Sequence, residues 1–171
     1  LEQGNYNRAA ELLAQSRRIR PGDPTTALDE ARARYATGDL AGARDVLAAS
    51  AGGALVQYDA LYLLGKIYSE LNDWNKAQDQ LEAAIIRNPT KSEAYIELAR
   101  VLLEQHNPAD ALARLGQAAR LSPRSPEVLR LMSQAYLQEG EKAKAEEAAK
   151  RAKNLTVSEP RVPSHVKDEK R

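Results

Sequence analysis

The chain has 171 residues, and its 25 Lys and Arg residues nearly cancel its 24 Asp and Glu residues to a net charge of +1. This balance argues against a broad nucleic-acid or membrane footprint, which needs a cationic excess. The absence of cysteine excludes disulfides, thiolate metal sites and cysteine nucleophiles, and no apolar run approaches the ~20 residues of a membrane-spanning helix. Because Ala and Leu dominate the apolar residues, the composition favours helices over strands.

A 34-residue period runs through the chain. One column of that period holds only alanine, at Ala9, Ala43, Ala77, Ala111 and Ala145. In chain order, residues 1–23 are predicted to be the second half of a truncated unit, with a lone helix at 5–19. Two-helix units are predicted at 24–57, 58–91, 92–125 and 126–159, followed by a disordered tail or linker at 160–171. The chain is therefore predicted to contain nine main helices.

Other columns of the period describe the packing and the turns. The unit at 24–57 is degenerate, because Glu30 and Arg34 stand where later units have apolar residues. We expect Leu28 and Tyr35 to supply its core instead. The turn between the two helices repeats a good N-cap residue, at Asn5, Asp39, Asp73 and Asn107.

These columns resemble those of the tetratricopeptide repeat family. The unit at 58–91 carries nearly the whole family pattern, with Leu61, Leu64, Gly65, Tyr68, Ala77, Leu81, Ala84 and Pro89. The resemblance implies an all-α fold, a right-handed α-solenoid of stacked antiparallel helix pairs whose first helices line the concave face. It also implies a protein-binding function. The Ala- and Arg-rich composition is similar to that of bacterial repeat proteins, for which cytoplasm and periplasm are both compatible.

Equivalent positions on the predicted first helices suggest a binding groove. Arg32, Lys66 and Arg100 would form a cationic ladder, and Asp59, Glu93 and Glu127 an acidic rim. Tyr62, Ile96 and Arg130 would lie between these columns. The predicted partner-binding residues are therefore Tyr62, Lys66, Ile96, Arg100, Arg130 and Arg32, holding a segment with acidic side chains. Alternatively, these are ordinary solvated helix charges, and the partner uses the convex face or an exposed end.

The sequence predicts no catalytic, metal or cofactor site. His106 and His165 are isolated, and no glycine-rich phosphate loop is present. The predicted function is that of a scaffold or adaptor that binds a partner protein or peptide within a multiprotein assembly. Alternatively, the chain is the targeting or regulatory region of a larger enzyme or of an envelope, secretion or polysaccharide assembly protein. A nucleic-acid-binding repeat is disfavoured by the balanced charge and by an expected lack of stacking aromatics on the first helices.

The truncated first unit also predicts self-association. Without a first helix to cover it, the helix at 5–19 would present Leu12, Leu13 and Ile19 to solvent. Solenoid ends normally need a polar cap. We therefore expect this end to be covered by an upstream repeat of a longer protein or by a second copy of the chain.

Overall fold

The computed structural model describes residues 2–20, 23–49 and 57–157, and all regular secondary structure in these ranges is helical. The nine helices found there are α1 (Glu2–Ile19), α2 (Pro24–Ala36), α3 (Leu40–Ala49), α4 (Tyr58–Glu70), α5 (Trp74–Arg87), α6 (Ser92–Glu104), α7 (Pro108–Leu121), α8 (Pro126–Gln138) and α9 (Lys142–Val157). The all-α prediction is confirmed. The tail predicted at 160–171 lies outside the described residues.

The helices stack as antiparallel neighbours, each packed on the next in the chain. The first helices α2, α4, α6 and α8 also contact one another, whereas no comparable contact joins the second helices. The first helices are therefore closer together, so the stack curves with them on its inner side. Their exposed side chains line the concave surface.

Local sequence signals set the helix starts. Asp23 accepts hydrogen bonds from the backbone N–H groups of Thr25 and Thr26, and Asp73 and Asn107 cap α5 and α7 in the same manner. The prediction that Asn5 is an N-cap is wrong, because Asn5 lies inside α1. No proline interrupts residues 2–19, so the helix continues through Asn5 towards the N-terminus.

Small residues allow the helices of one pair to approach closely. A Cβ atom added to Gly65 of α4 would lie 2.6 Å from Cγ of Leu81 and 3.4 Å from the carbonyl oxygen of Ala77, both in α5. Ala77 and Leu81 are fully buried. The two helices therefore approach closely at Gly65, and a larger side chain there would force them apart.

The degenerate unit at 24–57 has a charged cluster in its core. Glu30 is fully buried and accepts hydrogen bonds from Nε of Arg17 in α1, at 2.8 Å, and from Nε of Arg34, at 2.9 Å. Arg34 also donates from Nη1 to Oδ2 of Asp39, at 2.7 Å. As predicted, Leu28 is buried in the core cluster and Tyr35 packs against that cluster. These residues do not replace Glu30, however, because Glu30 itself stays fully buried. The buried carboxylate is tolerated because two guanidinium groups replace its water.

Candidate protein-binding surface

Two of the three predicted ladder cations are paired with carboxylates. Nη2 of Arg32 lies 3.5 Å from Oδ2 of Asp59 on the next first helix. Arg100 likewise forms an ion pair with Glu127 of α8, and its Nε lies 3.5 Å from Oε2 of Glu97. Each arginine therefore bridges neighbouring first helices, and much of its charge is already neutralised within the chain.

The third cation, Lys66, lies against an aromatic ring. Its Nζ is 5.0 Å from the ring centroid of Tyr35, within the range of a cation–π interaction. The Tyr35 hydroxyl donates a hydrogen bond to the Glu70 carboxylate. Burial, and secondarily this carboxylate, raise the pKa of Tyr35 above its ordinary value. Lys66 is thus held between α2 and α4 by a ring and nearby negative charge.

Tyr62 forms part of an aromatic stack on α4. Its ring lies parallel to that of Tyr58, with an interplanar angle of 5° and a centroid distance of 5.8 Å. Burial, followed by the charges of Glu97 and Glu93, raises the pKa of Tyr62 to about 12. The expectation that the first helices lack stacking aromatics is therefore wrong.

Glu97 is a largely buried carboxylate at the centre of this surface. Its side chain is only 17% exposed. Burial raises the pKa of Glu97 and outweighs the opposing effects of Arg100 and Lys66, while Glu127 adds repulsion in the same direction as burial. The charged form of Glu97 is therefore less stable in the folded chain than in water.

The remaining two predicted binding residues, Ile96 and Arg130, lie outside this group of at least partly exposed side chains on α2, α4 and α6. Ile96 is 7% exposed and belongs to the apolar core, so it offers little surface to a ligand. Arg130 is exposed on α8 and lines a depression of about 390 Å³ together with Ala149, Ala152 and Lys153 of α9. The structure thus places Arg32, Tyr62, Lys66 and Arg100 along α2, α4 and α6, and Arg130 at the α9 end of the stack.

Among the described residues of the first helices, carboxylates outnumber cations. The carboxylates that take part in the contacts or electrostatics of these helices are Asp29, Asp59, Glu70, Glu93, Glu97 and Glu127. The corresponding cations are Arg32, Lys66, Arg100 and Arg130. Sequence reasoning missed Tyr35, Tyr58, Glu70 and Glu97. The spacing of Tyr58 and Tyr62, four residues apart on one helix, was a usable signal for the stack.

The described ranges contain neither a cluster of metal ligands nor a membrane-spanning helix. Among residues 2–20, 23–49 and 57–157, no group of three or more His, Cys, Asp or Glu side chains is placed to hold a metal ion. Within the same residues, no helix combines the length and the apolar character needed to cross a membrane.

Comparisons with known proteins agree with this architecture. Two sequence models of protein families, each described as tetratricopeptide repeat, match the chain. The first matches residues 1–52 and 102–162, and the second matches residues 62–105. The curated "BBSome complex member BBS4" of Mus musculus is 29% identical over 136 residues, which are 80% of this chain and 26% of that protein. The chain thus spans about a quarter of the length of this relative.

Solved structures give the same result for the fold. The chain is similar to MamA 41-end from Desulfovibrio magneticus RS-1, with a TM-score of 0.87, 19% identity, and coverage of 94% of this chain and 91% of that one. It is also similar to MamA AMB-1, with a TM-score of 0.82, 24% identity, and coverage of 91% and 92%. At these identities the likeness concerns the fold alone, and the predicted right-handed α-solenoid is confirmed.

Proposed function

The chain belongs to the tetratricopeptide repeat family, and on that premise we propose that it holds a segment of a partner protein on its concave surface. The supporting observation is the continuous contact between α2, α4, α6 and α8, which places their exposed side chains on one inner surface. A solenoid exposes such a surface because each unit is buried only against its neighbours. On this proposal the chain binds a partner and does not catalyse a reaction.

The binding residues proposed here are those that the concave surface exposes. Tyr62 and Lys66 are half-buried, and Arg32, Arg100 and Arg130 are exposed. Ile96 would act beneath them as a buried support. Aromatic and Arg side chains are the types most often found at binding hot spots. The name of the curated relative, a complex member, supports a role within a multiprotein assembly.

A single introduced thiol tests this proposal, because the chain has no cysteine. Gln134→Cys places a photo-crosslinker at an exposed position of the first helix α8, and Asp79→Cys places one on the exposed side of the second helix α5. We expect a partner protein of the source cells to be crosslinked from position 134 and not from position 79. The reverse pattern would move the binding site to the convex face.

Charge reversal at Lys66 and Arg100 would not test this proposal cleanly, because both side chains also hold first helices together. Arg100 bridges α6 and α8 through Glu127, and Lys66 packs on Tyr35 of α2. Reversing both charges would place new carboxylates next to existing ones and disturb the contacts between first helices. A loss of binding could then come either from lost contacts with the partner or from the disturbed packing of the first helices.

A second proposal concerns self-association through α1. Ala9 and Leu13 of α1 are half-buried, whereas the equivalent Ala43 and Leu47 of α3 are fully buried. In the described part of the chain, α1 packs on α2 alone among the helices with substantial contacts. Leu12 is 56% exposed and Ile19 80% exposed. We infer that two copies of the chain pair through this apolar face.

Light scattering at increasing concentration tests the pairing. The double variant Leu12→Lys with Ile19→Lys is expected to shift the chain towards a monomer. The control is Ile86→Lys with Leu137→Lys, since these residues are 81% and 58% exposed elsewhere on the surface. A wild-type chain that stays monomeric, or a control that dissociates equally, would contradict pairing through α1.

A further proposal is that this scaffold serves as a targeting or regulatory region of a larger protein. The observation that favours it is the coverage of only 26% of the curated relative. An antibody against the chain would then detect, in the source cells, a protein much larger than 18.8 kDa. A band at that mass alone would contradict this proposal.

A further inference from the structure

One cation of this chain, the ammonium group of Lys66, shows how the concave surface binds a positive charge. Nζ of Lys66 lies over the Tyr35 ring, at 5.0 Å from its centroid. The hydroxyl of that ring donates to Glu70, and Lys66 is also close enough to Glu97 to affect its titration. An ammonium group is therefore held by a tyrosine face with carboxylates beside it.

The neighbouring tyrosine pair has the same components without a cation of its own. Tyr58 and Tyr62 stack at 5.8 Å, and both titrate under the influence of Glu93. In the described part of the chain, lysines lie over the rings of Tyr35, Tyr68 and Tyr136 and over neither ring of this pair.

Arg100, a cation that acts on this pair, already forms ion pairs within the chain. Arg100 influences the titration of Tyr62, but its guanidinium forms ion pairs with Glu97 and Glu127. A carboxylate from a ligand would have to displace one of these partners and would approach Glu93 and Glu97 against their repulsion. The surface near Tyr62 therefore favours a positively charged group over the acidic side chains expected from the sequence.

We propose that Tyr58, Tyr62, Glu93 and Glu97, the tyrosine–carboxylate site, bind a lysine or arginine side chain of the partner segment. The tyrosine faces attract a cation through their quadrupole, and this attraction strengthens as the cation is desolvated. Glu93 supplies the opposite charge, and Glu97 would share its charge between Arg100, at 3.5 Å, and the bound cation. This inference rests on the proposed binding of a partner segment to the concave surface and specifies the chemistry of that segment.

The raised pKa of Glu97 fits this role. Burial is its main cause, so the carboxylate is costly to keep charged in the free chain. A bound cation would return stabilisation to the charged form. Positions used in binding often carry such a cost to stability.

The test uses two short peptides of identical Ala and Ser framework, one containing lysines and the other glutamates at the same positions. Nuclear magnetic resonance titration of the full chain reports where each peptide binds. We expect the lysine peptide to shift the ring signals of Tyr58 and Tyr62 and the backbone signals of α4 and α6. The glutamate peptide is expected to bind far more weakly at these positions.

A pair of charge-matched variants isolates the site. Glu93→Gln with Glu97→Gln is expected to weaken the lysine peptide by at least about tenfold, the effect of losing ~1.4 kcal/mol. The control, Glu146→Gln with Glu147→Gln, removes the same charge from exposed positions of α9 and should change the affinity little. Tyr62→Leu should weaken binding while leaving the net charge unchanged.

The outcomes separate this inference from the proposed function. Equal binding of the glutamate peptide at α4 and α6 would overturn the preference for cations and leave the concave surface as the binding site. Equal weakening by the α9 control, or no binding of the lysine peptide, would overturn the inference while the crosslinking result still decides the proposed function. Lysine-peptide shifts confined to α5, α7 and α9 would contradict both.

Discussion

Two equivalent interfaces between neighbouring helices, here called boundaries, are packed in opposite ways, one with charged and the other with apolar side chains. Where α1 meets α2, the cluster consists of Arg17, Glu30 and Arg34. Two repeats later, where α5 meets α6, the same positions hold Ile85, Leu98 and Leu102, which pack in the apolar core. The backbone arrangement is alike, so the repeat frame does not require one kind of core.

The difference lies in how the two clusters depend on their members. An apolar cluster loses packing in proportion to the atoms removed. A buried ion cluster depends on each member, because removing one leaves the others desolvated without a partner. A solenoid accommodates both because each unit contacts only its neighbours. The charged boundary should therefore be destabilised more by a single substitution, and it should be possible to stabilise it by replacing all of its charged residues together.

Breaking the charged boundary should have the largest effect. Glu30→Ala leaves Arg17 and Arg34 without their shared carboxylate, and we expect a loss of about 3 kcal/mol in the free energy of unfolding of this end. Urea unfolding and amide hydrogen exchange in α1 and α2 would measure it. The control Glu82→Ala removes an exposed partner of Arg114, at 3.8 Å, and should cost under about 1 kcal/mol. Equal losses would show that burial of Glu30 is unimportant.

Replacing the charged boundary by its apolar equivalent sharpens the comparison. The triple variant Arg17→Ile, Glu30→Leu and Arg34→Leu carries the residues found two repeats later. Replacement of a buried ion cluster by apolar residues is often neutral or stabilising by about 1–4 kcal/mol. We expect the melting temperature to stay the same or to rise. A fall as large as that of Glu30→Ala would mean that this boundary needs its charges.

Overpacking tests the apolar region of the stack. Ala77 is fully buried opposite Gly65, and Ala77→Leu should cost about 1–3 kcal/mol. The control Ala113→Leu introduces the same side chain at an exposed position of α7. Thermal unfolding followed by circular dichroism should show a lower melting temperature only for the first variant. An unchanged value would contradict the assignment of this column to the helix contact.

The smallest effect is expected at the concave carboxylate. Because the pKa of Glu97 is raised in the folded chain, the folded state binds more protons than the unfolded state between the ordinary and the raised pKa. Stability conferred through Glu97 therefore falls as the pH rises through this window. Glu97→Gln should unfold at a slightly higher temperature than wild type at neutral pH, and the gain should vanish below the ordinary pKa of glutamate. A gain that is the same at every pH would exclude this cause.

The sequence by itself determined the helices and their pairing. Alanine at one position in every unit, and leucine in most units four residues later, fix which face of each second helix is buried. Cap residues such as Asp73 and Asn107 fix where helices begin. These signals act within a few residues along the chain, so they were readable without a structure.

Only the tertiary structure decided the partners of the charged and aromatic side chains. Glu30 meets Arg17 across 13 positions, and Arg100 meets Glu127 across 27. Such pairs depend on how far each helix is rotated and displaced against its neighbour, which the period alone leaves open. For the same reason the sequence placed Ile96 between the charged columns of the groove, whereas the packing of α6 in the stack buried it. The packing also paired Arg32 and Arg100 of the predicted cationic ladder with carboxylates of the next first helix.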